Sequence, residues 1–129
     1  MVTLNTDIFN NVAKHDYLSL LTNGRPKYQR VVQFLEFKKE DVSKAAGVPL
    51  GSIRYDAKIP TDLHERIREW ANVINLVAGH FAGDATKTTL WFTTINPLLG
   101  DLSPRDMIRF GRYKKLLKFI VSALAENKE

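Results

Sequence analysis

The chain has 129 residues, 44% of them hydrophobic, and a formal net charge of +5. That length suits one compact domain or two small, tightly packed ones, and the apolar fraction is enough to bury a core. Cysteine is absent, which excludes disulfides, thiol catalysis and cysteine-ligated metals and fits a cytoplasmic protein.

The basic excess permits nucleic-acid binding without establishing it. No apolar run approaches the length of a membrane span, so no membrane insertion is expected. The opening stretch MVTLNTDIFNN has neither a charged leader nor an apolar signal core, and no export is expected.

Taken in order, the chain divides into four segments. In residues 1–26, Ile8, Phe9, Val12, Leu18, Leu20 and Leu21 predict one helix or two short ones, closed by Gly24 and Pro26. Residues 27–60 begin with an apolar helix through Val31, Val32, Phe34 and Leu35. A second helix runs from Lys39 to Ala46 and ends at Gly47, a residue suited to the left-handed conformation of a tight inter-helix turn. A third helix is predicted through Ser52, Ile53, Arg54 and Tyr55. Val42, Ala46, Val48 and Ile53 fall where a helix-turn-helix needs apolar contacts between its two helices.

On that reading Lys44, Ser52, Arg54, Tyr55 and Lys58 are the DNA-facing residues. Arg54 and Tyr55 would approach bases, and Lys44 and Lys58 would meet phosphates. Two residues sit awkwardly in a recognition helix: Gly51 costs about 1 kcal/mol of helix propensity relative to alanine, and the Asp56 carboxylate repels phosphate. The plainer reading is a three-helix packing unit that binds no DNA.

Residues 61–80 predict the longest helix. Pro60-Thr61 opens it, and Leu63, Ile67, Trp70, Ile74, Val77, Ala78 and Phe81 follow at helical spacing. Trp70 is expected in the core. Residues 81–129 begin with an apolar run around Trp91 and break at Asn96-Pro97 and at Gly100-Asp101. Ser103 can cap a new helix with Pro104 in its first turn, and Gly111 ends it. The closing helix from Arg112 sets Tyr113, Leu116, Leu117, Ile120 and Leu124 on one face and Lys114, Lys115 and Lys118 on another. Trp91, Leu98, Leu99, Leu116 and Ile120 are expected to be buried. The fold class is all-α.

Enzyme chemistry finds no foothold. His15, His64 and His80 share no metal-ligand spacing. Gly79 and Gly83 lack the lysine and hydroxyl of a phosphate loop, and no G-x-S-x-G motif occurs. The chain is expected to be no enzyme and to hold no metal.

The order Trp91, then Asn96-Pro97-Leu98-Leu99-Gly100, then Ser103-Pro104-Arg105-Asp106, then Gly111-Arg112 and a closing apolar helix resembles the toxin-binding C-terminal domain of the Xre/MbcA/ParS antitoxin family. His80-Phe81-Ala82-Gly83-Asp84 is similar to that family's entry into the domain, and residues 27–60 resemble its helix-turn-helix head. Ser43 departs from it, standing where the head usually has alanine. The resemblance implies an antitoxin for a RES-domain toxin, which consumes NAD. The NAD would belong to the partner, and this chain would bind no cofactor. It further implies repression of its own operon through operator DNA; because a head this small buries little DNA surface alone, a homodimer is expected. Toxin-binding residues would be Asn96, Leu98, Leu99, Gly100 and Arg112, with Glu126, Asn127 and Glu129 reaching the toxin's active-site entrance. The runner-up is a stand-alone helix-turn-helix regulator that uses the last segment to dimerise, and a third reading is a structural adaptor.

Overall fold

The computed structural model describes residues 11–126. It is all-helical except for one short hairpin. Six α-helices occur among the described residues: α1 (Tyr28–Phe34), α2 (Lys39–Ala46), α3 (Thr61–His80), α4 (Ala85–Thr93), α5 (Pro104–Arg109) and α6 (Tyr113–Glu126). Single 3₁₀ turns at Leu50–Ser52 and Pro97–Leu99 interrupt the connections.

The sequence-predicted connecting helix is α3, and of its predicted stripe Leu63, Ile67, Trp70, Ile74 and Val77 are buried, whereas Phe81, at the C-cap, is only half-buried. Ala71, Val73 and Ala78 are buried as well. Burial exceeds one face because α1, α2, α4 and α6 all pack against this helix. One hydrophobic cluster therefore runs from Leu20 to Ile120. Trp70 is 1% exposed, and the Phe37 ring meets it edge-on at 5.6 Å between centroids, a favoured aromatic geometry.

Local chemistry fixes the helix ends. The Asp41 carboxylate accepts the Lys38 N–H at 2.9 Å and starts α2. Gly47, at φ +69°, stops it. Asp84 caps α4 by accepting the Lys87 N–H at 3.0 Å, and Ser103 caps α5 by accepting from Asp106 at 3.1 Å. Gly111, at φ +76°, turns the chain from α5 into α6.

The N-terminal expectation is corrected for residues 11–26. Val12, Leu18, Leu20 and Leu21 form no helix; Ile8 and Phe9 lie outside the described residues. Strands β1 (Leu21–Thr22) and β2 (Arg25–Pro26) pair antiparallel, Leu21 with Pro26 and Thr22 with Arg25. The turn between them is Asn23-Gly24, both at positive φ, which is the pair a two-residue hairpin favours. The residues before the hairpin lie across α3 and are held by two of its asparagines. Asn72 accepts the Ala13 N–H at 2.9 Å and donates to the Asn11 carbonyl at 2.7 Å. Asn75, itself buried, accepts the Tyr17 N–H at 2.9 Å and donates to Asp16 Oδ1 at 3.1 Å. Backbone amides that an N-terminal helix would have satisfied internally are met by side chains of α3.

The third helix of the expected head is also corrected. Ser52 ends the 3₁₀ turn Leu50–Ser52, and Ile53 is extended, at φ −74° and ψ 111°. Arg54, Tyr55 and Lys58 therefore lie on an irregular segment and not on a recognition helix. Extension carries the Ile53 side chain into the core. Asp56 Oδ1 then accepts the Lys58 N–H at 3.0 Å, a local bond that competes with helix. Pro60 precedes the start of α3.

Candidate functional site

The segment Asn96–Leu102 forms a closed loop. Its ends are bridged by the Asn96 N–H donating to the Leu102 carbonyl at 3.0 Å. Inside it, Asn96 Oδ1 accepts the Leu98 N–H at 2.9 Å. Gly100 takes φ +73°, and Asp101 follows at +64°. This winding sends neighbouring leucines in opposite directions. Leu99 is buried among the residues of the core, and Leu98 is 79% exposed. The expectation that both are buried is thus corrected for Leu98, and Leu99 presents little surface to any partner.

Beside the loop an apolar cleft of about 220 Å³ opens between the end of α3, α4 and the last two turns of α6. Val77, Phe81, Trp91, Asn96, Phe119 and Leu124 are among its lining residues. Trp91 is half-buried and meets Phe92 edge-on at 5.1 Å. Its expected full burial is corrected: Phe92 takes the core position on α4, and Trp91, one residue earlier, faces the cleft. Leu90 and Ile95 are 65% and 63% exposed. Neither was singled out from sequence. For Leu90 the signal was the unbroken apolar run Leu90-Trp91-Phe92 in a helix of nine residues, more than one helical face can bury; Ile95 lies beyond that helix and has no such signal.

The other predicted docking residues do not share one place. Glu126 ends α6 near this cleft and is exposed, whereas Asn127 and Glu129 lie outside the described residues. Gly100 is exposed at the loop's left-handed corner. Arg112 stands just before the opposite end of α6, about 18 Å from Leu124 along the axis at 1.5 Å per residue. There it lines a second, larger cleft of about 760 Å³ with Arg66, Glu69, Tyr113, Lys114 and Lys115. Glu69 is engaged by Arg66, at 2.8 Å from Nε to Oε1. Burial, followed by the charge of Glu69, pushes the Tyr113 phenol up to about 12, so it stays a neutral hydrogen-bonding group.

Among the predicted DNA-facing residues, Lys44 and Lys58 are exposed and Ser52 and Tyr55 are half-buried. Arg54 is committed to Asp56 through two parallel bonds, Nε to Oδ1 at 2.7 Å and Nη2 to Oδ2 at 2.6 Å. The Arg54 guanidinium, with the Lys58 N–H, holds the Asp56 carboxyl below the usual carboxylate range. Among the described residues no cluster of histidine and carboxylate side chains could hold a metal ion, and no helix is long and apolar enough to cross a membrane.

No family model matches the chain, and no curated protein matches it either. Among solved structures, it is similar to a chain of the M. tuberculosis MbcT-MbcA toxin-antitoxin complex. The two are 20% identical with a TM-score of 0.46, over 79% of this chain and 93% of that one.

Proposed function

We propose that this chain is an antitoxin that neutralises a RES-domain toxin by direct binding, with Leu98 and the Trp91 cleft as its docking surface. The observation that carries the reading is the exposure of Leu98 on a loop closed by the Asn96–Leu102 bridge. A large apolar side chain held outward on an ordered loop is what a partner pocket can use as an anchor. The order of motifs from Trp91 to Arg112 supports the same reading by resemblance.

Neutralisation in this reading needs no chemistry from the chain. A RES-domain toxin consumes NAD, and its cleft must hold a pyrophosphate. Carboxylates delivered by Glu126 and Glu129, with Asn127 beside them, would occupy positions meant for phosphate oxygens. The experiment is co-expression of the toxin with the full chain or with a chain ending at Leu124. On this reading both chains bind the toxin, but the shortened one restores NAD consumption. If the shortened chain protects as well as the full one, occlusion by the tail is wrong.

The reading includes operator binding by a homodimer, with Lys44 and Lys58 on phosphates. Base recognition has less support in the geometry, because Arg54 is paired with Asp56 and no helix presents it. That same pairing weighs against the stand-alone regulator.

A further inference from the structure

The larger cleft has a charge character that the docking surface lacks. Four cations line it, Arg66 from α3 and Arg112, Lys114 and Lys115 from the α5–α6 corner, against the single carboxylate of Glu69. Glu69 is already bridged to Arg66. Arg112, Lys114, Lys115 and, one turn further along, Lys118 are all exposed. From Arg112 to Ala125 the sequence contains no acidic residue. Among the described residues no ion pair neutralises any of these four exposed cations. Arginines outside the cleft such as Arg54, Arg68 and Arg109 each have a carboxylate.

Like charges gathered on one exposed face raise the local positive potential and attract anions, most strongly at low salt. Lysines on adjacent helical turns act as point charges toward phosphate. A run of phosphates is the anion that meets several such charges at once, whatever the base sequence.

We propose that the cleft between α3 and the α5–α6 corner binds the phosphodiester backbone of nucleic acid without reading its sequence, through Arg112, Lys114 and Lys115, with Lys118 one turn further along as a fourth phosphate contact. The site is separate from the segment Ser52–Lys58 and from the Leu98 surface. It does not depend on the antitoxin reading. Gly111 lines the cleft without a side chain, and the neutral Tyr113 phenol can donate a hydrogen bond to a phosphate oxygen.

The test is fluorescence anisotropy of the full chain with a labelled duplex of arbitrary sequence, and with the corresponding single strand, from 50 to 200 mM salt. With about four phosphate contacts the slope of log K against log salt is about −3.6, an affinity loss of about a hundredfold across that range. The double variant Lys114→Glu/Lys115→Glu should weaken binding at least about tenfold and roughly halve the slope. The charge-matched control Arg25→Glu/Lys87→Glu, on the hairpin and on α4, removes two exposed cations that do not line the cleft and should leave both nearly unchanged. Matching thermal melts of the variants show that the fold is kept. The proposal is overturned if neither nucleic acid binds at 50 mM salt. It is equally overturned if Arg25→Glu/Lys87→Glu weakens binding as much as Lys114→Glu/Lys115→Glu does, or if polyglutamate displaces the duplex at lower charge concentration than unlabelled duplex does.

Discussion

Arg105 donates from Nη2 to the carbonyl of Glu36 at 2.8 Å, joining the motif-bearing segment to the end of α1. Its Nε donates to the neighbouring Leu35 carbonyl, and its guanidinium lies over the Phe37 ring, 5.4 Å from the centroid. These carbonyls follow α1, where the last carbonyls of a helix lack intrahelical partners. Glu36 itself sits at φ +56°, a conformation that a non-glycine residue keeps only when its surroundings hold it. One side chain thus satisfies the chain reversal and ties α5 to it.

Replacing Arg105 by alanine should therefore destabilise the whole chain by about 2–3 kcal/mol, because two carbonyls lose a charged donor. Lysine should recover only part of that, since an ammonium cannot fork to both carbonyls and stack on Phe37. Denaturant midpoints of the two variants at constant slope check this.

The strap across α3 carries a pH dependence. Burial alone would raise the Asp16 carboxyl, but the Leu20 N–H, the Asn75 amide, the Leu21 N–H and the charge of Lys27 together hold it below 3.8. A folded value below the unfolded one means stability that is present above about pH 4. It is lost as pH falls through the lower folded value. Asp16→Asn should be less stable than the parent at pH 7, with the gap closing as the pH is lowered to about 2. A constant gap from pH 7 to pH 2 would show that the charge has no part in it.

Gly79 lies under the Tyr17 ring. A Cβ placed there would come within 2.9 Å of the ring's Cε2. Alanine also has the higher helix propensity, by up to about 1 kcal/mol in a helix interior and by less at Gly79, the penultimate residue of α3. Gly79→Ala should leave global stability unchanged or slightly raised. The Tyr17 amide, which donates to Asn75, should lose its protection against hydrogen exchange. Unchanged protection there would mean the ring moves aside without releasing the strap.

Trp91 and Trp70 should separate by consequence. Trp70→Ala removes a fully buried ring and should cost about 3–5 kcal/mol. Trp91 is half-buried at the mouth of the apolar cleft, so Trp91→Ala should cost clearly less in a thermal melt. Its larger effect should be on partner binding.

The helical periods were legible wherever one apolar stripe met one core. Ile67, Trp70, Ile74 and Val77 read as α3, and Leu116 and Ile120 read as the inner face of α6. Caps and stops were legible too, at Ser103, Gly47 and Gly111, because each depends on only a few neighbouring residues. The strap was not legible, since its amides are met by Asn72 and Asn75 about sixty residues away. Asn23-Gly24 was a readable hairpin signal that the apolar spacing around it obscured. The segment Ser52–Tyr55 reads as helix from sequence because Ile53 fits a helical contact pattern equally well. Leu98 and Leu99 are indistinguishable by composition. Only the winding of the closed loop decides which faces out.

The central claim is that Leu98 is an anchor for a partner toxin. The direct measurement is the affinity of the purified full chain and of Leu98→Asp for the proposed RES-domain toxin, alongside the thermal stability of each. Because Leu98 is 79% exposed, the variant should melt within about 0.5 kcal/mol of the parent. The account predicts that it binds the toxin at least about a hundredfold more weakly, as expected when a hot-spot contact of more than about 2 kcal/mol is removed. Equal toxin affinity for Leu98→Asp and the parent chain would contradict the account.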